Sequence, residues 1–235
     1  MATPTAPTAV RTAQTAAPSP RSIAPTGTRR LLACGAIAGP LFAVTALVEA
    51  MTRHGFTLMR NPVSLLELGS WGWVQQANFI VTGLLLLAGA AGLRRTLPTG
   101  TGSVWAPRLM TIAAIGTGAA GVFRPDPGNG FPPGTPLHAG AVMSWHGIMH
   151  MVVSSPSFIA MVAFCIVIGR RAASQGRPRL RLASYAAAAI CAVSVVTAPS
   201  PNGSLTLFIG VTLALLWIAG ACIRALRATA TPQNV

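Results

Sequence analysis

The chain alternates between six long apolar stretches and short polar connections. Each stretch is close to the roughly 20 residues that a helix needs to cross the hydrocarbon core of a bilayer. Backbone polar groups in lipid must be satisfied internally, so these segments are expected to be helices. The pattern therefore predicts an all-α integral membrane protein, a bundle of six transmembrane helices. The predicted spans are residues 31–52, 71–93, 105–123, 146–169, 180–198 and 204–223.

The two ends of the chain lack this pattern. Residues 1–28 are rich in Ala, Thr, Pro and Ser, and too few large apolar side chains are present to offset the entropy of ordering. We predict a disordered tail over 1–28, a six-helix membrane domain over 29–225 and a short cytoplasmic tail over 226–235. The composition agrees, because 9% of residues are charged, against about 25% in an average soluble domain.

The arginines predict how the bundle is oriented. Arg108 and Arg181 lie near the starts of the third and fifth spans and are counted with the connections that precede them. The segments before the first span, between the second and third, between the fourth and fifth, and after the sixth then contain four, three, five and two arginines. By the positive-inside rule both termini are cytoplasmic, and the protein lies in the inner (cytoplasmic) membrane of the cell. This topology also accounts for the net charge of +14. Since no basic stripe is interleaved with exposed aromatic residues, we do not expect a nucleic-acid partner.

The remaining ionisable residues all fall on the opposite side of this topology. The set contains every acidic residue and every histidine of the chain. Its members are Glu49, Glu67 and Asp126, with His54, His138, His146 and His150. Ionisable groups at a membrane boundary usually face a cavity or the bundle interior. The segregation therefore predicts a functional site at the outer face.

A pair of histidines opens the fourth span. His146 and His150 are four residues apart, which puts both imidazoles on one helical face, where they could hold a metal ion or relay a proton. The turn-rich loop that carries Asp126 could fold over the helix ends as a lid and bring this carboxylate to the histidines. Glu67 and His138 are further candidate ligands. The alternative is that both histidines simply lie at a hydrated helix end.

The first external loop contains the segment NPVSLLEL. Ser64 with Glu67 three residues later matches a capping box, and Val63 with Leu68 matches its hydrophobic staple. We therefore predict a short external helix with Ser64 as its N-cap. A nucleophilic role for Ser64 is the alternative, although no base is spaced to activate it locally.

Three other features are predicted to be structural. Glu49 and Arg53 have the i, i+4 spacing of a surface helix pair. Gly35 and Gly39 form a GxxxG motif, which predicts close helix packing within the bundle, with dimerisation as the alternative. The cysteines lie in apolar segments without CxxC spacing, so we expect small buried side chains and no disulfide or zinc ligand. They are Cys34, Cys165, Cys191 and Cys222.

Three segments resemble a known family. They are NPVSLLELGSWGWVQQANFIVTGLLL (61–86), GVFRPDP (121–127) and HGIMH (146–150), and they resemble the bacterial and archaeal integral-membrane family called domain of unknown function 998. The resemblance covers about 31–225 and implies a six-helix architecture, with no established reaction. The positions that match the family pattern are Pro62, Ser64, Gly69, Asn78, Asp126 and His150.

These observations support several function classes. Our first hypothesis is a membrane-embedded metal-dependent or acid–base enzyme that acts on a lipid or another hydrophobic substrate. The candidate catalytic residues are Asp126, His146, His150, Glu67 and Ser64. His146, His150 and Asp126 are also the candidate ligands of a divalent metal such as zinc. The set of serine, aspartate and HxxxH is similar to the ligands of membrane zinc hydrolases of the ceramidase and progestin-receptor group, although helix count and motif order differ.

The alternatives are a non-catalytic small-molecule or lipid binder, a transporter, and an accessory subunit of a membrane complex. Transport is less favoured, because the helix centres carry no ionisable residue. A nucleotide cofactor is not expected, because no glycine-rich phosphate loop follows a strand.

Overall fold

The computed structural model describes residues 25–137 and 142–229. In these residues, six α-helices and one short 3₁₀ helix, η1, follow one another. They are α1 (Thr26–Thr52), η1 (Val63–Glu67), α2 (Gly72–Thr96), α3 (Trp105–Ala120), α4 (Trp145–Ser174), α5 (Pro178–Thr197) and α6 (Gly203–Ala228). Within these two ranges the β-type pairing is limited to an isolated bridge between Gly128 and Phe131. The all-α prediction is confirmed.

Five of the helices, α1, α2, α4, α5 and α6, are long and apolar enough to cross a bilayer. Their bounds agree with the predicted spans to within about five residues, so the multi-pass prediction is confirmed. Helix α3 covers 16 residues, fewer than the roughly 20 that a full crossing requires. The sixth crossing stays a prediction.

Most of the predicted N-terminal tail lies outside the described residues, because the description begins at residue 25. The same is true of residues 230–235 at the other end and of His138. The proposed domain boundaries therefore stay predictions.

The helices form a closed ring. Each helix packs against the next one in the chain, and α6 returns to pack against α1. Because the connections are short, neighbouring helices run antiparallel. We call one end of the ring the acidic end: it contains the end of α1, η1, the start of α2, the loop 121–137 and the starts of α4 and α6. The opposite end, with the starts of α1, α3 and α5, is the arginine-rich end.

Small residues allow the helices to approach closely. A Cβ atom added to Gly35 would lie 2.8 Å from the Cα of Gly89, and one added to Gly39 would lie 2.7 Å from the carbonyl oxygen of Leu215. Close backbone approach increases van der Waals contact, which holds helices together in lipid. The GxxxG motif thus serves packing inside the bundle, as predicted. All four cysteines are free, and all but the half-buried Cys34 are buried.

Candidate functional site

The acidic end encloses some of the predicted ionisable residues and exposes others. Glu49, Glu67 and His150 are buried, with 6%, 1% and 6% of their surface exposed. His54 and His146 are exposed at the same end. Acidic side chains are almost never fully buried unless they are paired. The site is therefore centred on the buried carboxyl groups and on one histidine.

Arg53 connects the elements around these groups. Its guanidinium donates hydrogen bonds to Glu49 Oε1 at 3.3 Å, to the carbonyl oxygen of Leu66 at 3.2 Å and to that of Leu68. It also lies 5.5 Å from the centre of the Phe131 ring. The predicted Glu49–Arg53 pair is confirmed, but its side chains are only 8% and 12% exposed, so it is not a surface pair. The pair holds η1 and the second loop against α1.

Glu67 and His150 meet beneath these loops. Glu67 Oε1 lies 3.9 Å from His150 Nδ1. The same nitrogen donates hydrogen bonds to the carbonyl oxygens of Phe123 at 2.6 Å and Ala120 at 3.2 Å. A carbonyl oxygen only accepts, so Nδ1 carries a proton and Nε2 is the basic nitrogen of the neutral ring. The end of α3 thereby sets the tautomer and orientation of the imidazole.

The carboxyl group of Glu67 is enclosed without a hydrogen bond. Neither of its oxygens has a partner in the described part of the chain. Burial raises the pKa of Glu67 to about 9, and the positive charge of Arg124 offsets part of this rise. At pH 7 the side chain is therefore a neutral acid with a proton to donate, and its contact with His150 is not an ion pair. Strongly perturbed acids of this kind are frequent at functional sites.

Helix α2 contributes a buried row of uncharged polar side chains. Gln75, Asn78 and Thr82 lie on one face, and at most 5% of each is exposed. Asn78 Nδ2 donates to Gln75 Oε1 at 3.1 Å and to the carbonyl oxygen of Phe42 at 3.2 Å. Gln75 Nε2, Asn78 Oδ1 and Thr82 Oγ1 have no partner among the described residues. The row extends polar character from the acidic end into the span.

Asp126 bonds to the N-cap of helix α4 instead of contacting the histidines. Its Oδ2 accepts a hydrogen bond from the backbone nitrogen of Ser144 at 2.9 Å. Ser144 is the N-cap, and its hydroxyl accepts from the backbone nitrogen of Gly147 at 3.1 Å. A carboxylate is favourable here because the helix dipole is positive at this end. The carboxylate is thus used at the cap of α4, and a role of the loop as a lid stays a prediction.

His146 and His150 have different surroundings. The ring of His146 is exposed and stacks 3.7 Å from that of Trp145, whereas His150 is buried. In residues 25–137 and 142–229, no group of three or more His, Cys, Asp or Glu side chains is placed to hold a metal ion. His138, a further candidate ligand, lies outside those ranges. Metal binding by His146, His150 and Asp126 stays a prediction.

Ser64 lies inside η1 and does not cap it. The short helix is confirmed, but its N-cap is Pro62 and no side chain caps it, so the predicted capping box is wrong. The reason is that the Glu67 side chain turns towards His150 and cannot also reach back to Ser64. The hydroxyl of Ser64 is half-buried, one turn before Glu67, and its catalytic role stays a prediction.

A family model described as protein of unknown function, DUF998, matches residues 36–224. The chain belongs to this family. The match begins inside α1 and ends inside α6, so it includes the whole acidic end of this DUF998 protein. No curated protein and no solved structure matches the chain. Its chemistry therefore has to be argued from the site.

Sequence reasoning missed part of the site in this DUF998 protein. The family resemblance marked Asn78 and His150, both of which are buried at the site, but Gln75 and Thr82 were not identified. An amide inside a predicted span is costly in lipid and therefore points to a site. Gln75 in the segment WGWVQQANF carries this signal.

Proposed function

We propose that the protein is a membrane-embedded acid–base enzyme that acts on a lipid or another hydrophobic substrate at the acidic end. The observation that carries this proposal is the 3.9 Å approach of the enclosed Glu67 carboxyl to His150. The proposal includes six crossings of the inner (cytoplasmic) membrane with both termini in the cytoplasm, so that the site faces the outer leaflet.

The two side chains have complementary protonation states. Glu67 is a neutral acid at pH 7, because burial raises its pKa to about 9. His150 Nδ1 is engaged by two carbonyl oxygens, which leaves Nε2 as a base. General acid–base catalysis requires a donor and an acceptor that both function at the operating pH. In this scheme Glu67 donates a proton and His150 accepts one.

The surroundings of the pair favour a lipid-like substrate. Trp71, Trp73 and Trp145 are each more than 60% exposed at the acidic end. Tryptophan is enriched where the hydrocarbon core meets the headgroups. The pair therefore lies near headgroup depth, where the polar bonds of a lipid are found. An apolar surface formed by these tryptophans favours a hydrophobic substrate over a water-soluble one.

The test is turnover of lipid by the purified full chain in nanodiscs of total bacterial polar lipid. Mass spectrometry should detect a product with the wild type and at least about 100-fold less with Glu67→Gln. His150→Asn is the sharper second variant, because the Asn amide can still donate to Phe123 while the base Nε2 is lost. Glu49→Gln is the matched control, since it also removes a buried carboxyl but one without a histidine contact.

The outcomes distinguish the parts of the proposal. A wild type that leaves the lipid pool unchanged, or a folded Glu67→Gln variant that is fully active, would contradict acid–base catalysis.

Elemental analysis of the same preparations tests the metal-dependent form of the enzyme. That form predicts about one zinc per chain and its loss in His146→Ala.

A binder or transporter is the second candidate, and the buried row on α2 favours it. Among the described residues, Gln75 Nε2, Asn78 Oδ1 and Thr82 Oγ1 are unpartnered, and they lie along α2 beyond its start at the acidic end. Such groups could bind a polar ligand or continue a proton path. Proteoliposomes loaded with a pH-sensitive dye test the path: proton uptake that Thr82→Val abolishes would favour transport over catalysis.

A further inference from the structure

The connection between α4 and α5 gathers arginines at the arginine-rich end. The backbone nitrogen of Arg177 donates to the carbonyl oxygen of Ala172 at 2.9 Å, and that of Gly176 donates to Ala173 at 3.1 Å. Together with φ +65° at Gly176, these bonds form a Schellman motif that reverses the chain sharply. Pro178 then begins α5. The arginines that this turn brings together are Arg170, Arg171, Arg177, Arg179 and Arg181.

Arg171 is bonded within the protein, whereas Arg179 and Arg181 are not bonded within the described part of the chain. Arg171 holds the loop between α2 and α3, because its guanidinium donates to the carbonyl oxygens of Thr101 at 2.8 Å and Pro98 at 3.4 Å. Arg179 and Arg181 are exposed. In the part of the chain that the structure describes, no hydrogen bond or ion pair engages either guanidinium. These two groups are available for a ligand.

Arg179 and Arg181 border an open groove whose remaining lining is Pro178, Leu182 and Tyr185. The groove is cationic at its rim and apolar along its floor. Leu182 is 72% exposed, and Val193 and Val196 continue an exposed apolar surface along α5. No acidic side chain competes for the arginines, since every acidic residue of the chain lies at the acidic end. The groove is complementary to an anion that carries a long apolar chain.

We propose that this groove binds an anionic phospholipid. The phosphodiester would accept hydrogen bonds from Arg179 and Arg181, and an acyl chain would lie along the exposed apolar surface of α5. Arginine suits this role because its planar guanidinium binds phosphate oxygens in pairs. Basic pockets between helices near a membrane surface bind lipid headgroups in the same way. The site is distinct from the acidic end and does not depend on the proposed enzyme activity.

Native mass spectrometry of the full chain in mild detergent tests the proposal. Phosphatidylglycerol and phosphatidylcholine with identical acyl chains are added at equal concentration, and bound lipid is counted. We expect phosphatidylglycerol to be retained by the wild type and to bind about tenfold more weakly when Arg179→Gln and Arg181→Gln are combined. The matched control combines Arg94→Gln and Arg95→Gln, which removes the same charge from exposed positions at the same end.

Three results would overturn the proposal. Equal loss in the two double variants would mean that only overall charge attracts the lipid. Equal retention of phosphatidylglycerol and phosphatidylcholine by the wild type would mean that the headgroup is not recognised. Complete displacement by millimolar inorganic phosphate would mean that the groove takes phosphate alone. A combined Arg179→Lys and Arg181→Lys variant keeps the charge, and intermediate binding is expected because paired donation is lost.

Discussion

The two ends of the bundle use arginine in different ways. At the acidic end, the side chain of Arg53 is 12% exposed, and its guanidinium is bonded to Glu49 and to backbone carbonyl oxygens. At the arginine-rich end, Arg179 and Arg181 extend from the start of α5 without a partner in the described chain. Arg53 thus joins protein segments, whereas Arg179 and Arg181 remain available to an external anion. Arg171, which is also at the arginine-rich end, resembles Arg53 because it bonds to the loop between α2 and α3. Whether neighbouring segments bury the arginine side chain decides between these two roles.

The loops show the same contrast. At the acidic end, Asn61 Nδ2 donates to the carbonyl oxygen of Asn129 at 2.9 Å, and Ser204 Oγ donates to that of Arg60 at 3.0 Å. These bonds join the loop after α1, the loop 121–137 and the start of α6. Glu67 is therefore enclosed at this end, with 1% of its surface exposed, whereas the groove on α5 is open. We therefore expect substitutions that break buried contacts at the acidic end to destabilise the protein strongly, and substitutions of exposed residues at the arginine-rich end to have little effect on stability.

The largest effect is expected from Arg53→Ala. The substitution leaves Glu49 buried without its partner and removes the bonds to Leu66 and Leu68. Breaking a buried ion pair typically destabilises by about 3–5 kcal/mol. Arg94→Ala at the other end removes an exposed arginine and should change stability by less than about 0.5 kcal/mol. Unfolding in detergent measures both, and similar losses would contradict the contrast between the ends.

A smaller effect is expected from Gly147→Ala at the acidic end. The added Cβ would lie 2.2 Å from Asp126 Oδ2, so the carboxylate must leave the α4 cap. Overpacking of this kind typically costs about 1–3 kcal/mol. Gly27→Ala is the matched control at the arginine-rich end, because nothing lies within 4 Å of its added Cβ. If both variants unfold at the wild-type temperature, Asp126 does not hold the start of α4.

The sequence predicted the fold well because lipid limits the choice. Apolar runs of about 20 residues can only be helices in a bilayer, and the helix bounds followed from them. The gathering of Glu49, Glu67 and His150 at one end followed from charge segregation along the chain. Both inferences depend on how apolar and charged residues are distributed along the sequence, and neither requires knowledge of how the side chains pack.

The details of the site depend on packing and were predicted less well. Spacing placed His146 and His150 on one face, but burial depends on packing. Both lie near Phe123, and among the described residues His150 is the one hydrogen-bonded to the carbonyl oxygens of Ala120 and Phe123. Ser64 and Glu67 match a capping box in sequence, yet Glu67 turns inwards. The sequence predicts Asp126 beside the histidines, but its carboxylate accepts a hydrogen bond from the backbone nitrogen of Ser144 instead. Local motifs cannot reveal such competing partners.

Per pH unit, the smallest expected effect is a pH dependence that the acidic end contributes. The pKa of Glu67 is about 9 in the folded chain, raised by burial from 4.5. Between these values the folded state keeps a proton that the unfolded state has lost, so stability falls as pH rises. The favourable contribution is complete below pH 4.5 and is lost as pH rises through 9.

One proton changes stability by at most about 1.4 kcal/mol per pH unit. Unfolding midpoints of the wild type should therefore decrease between pH 6 and 9, and Glu67→Gln should reduce this slope. The difference between the two curves isolates Glu67, because the other titrating groups are present in both proteins. The combined Arg179→Gln and Arg181→Gln variant should keep the wild-type slope, since arginine does not titrate in this range. Equal slopes in the wild type and Glu67→Gln would mean that Glu67 is ionised at neutral pH, and it could not then be the proton donor.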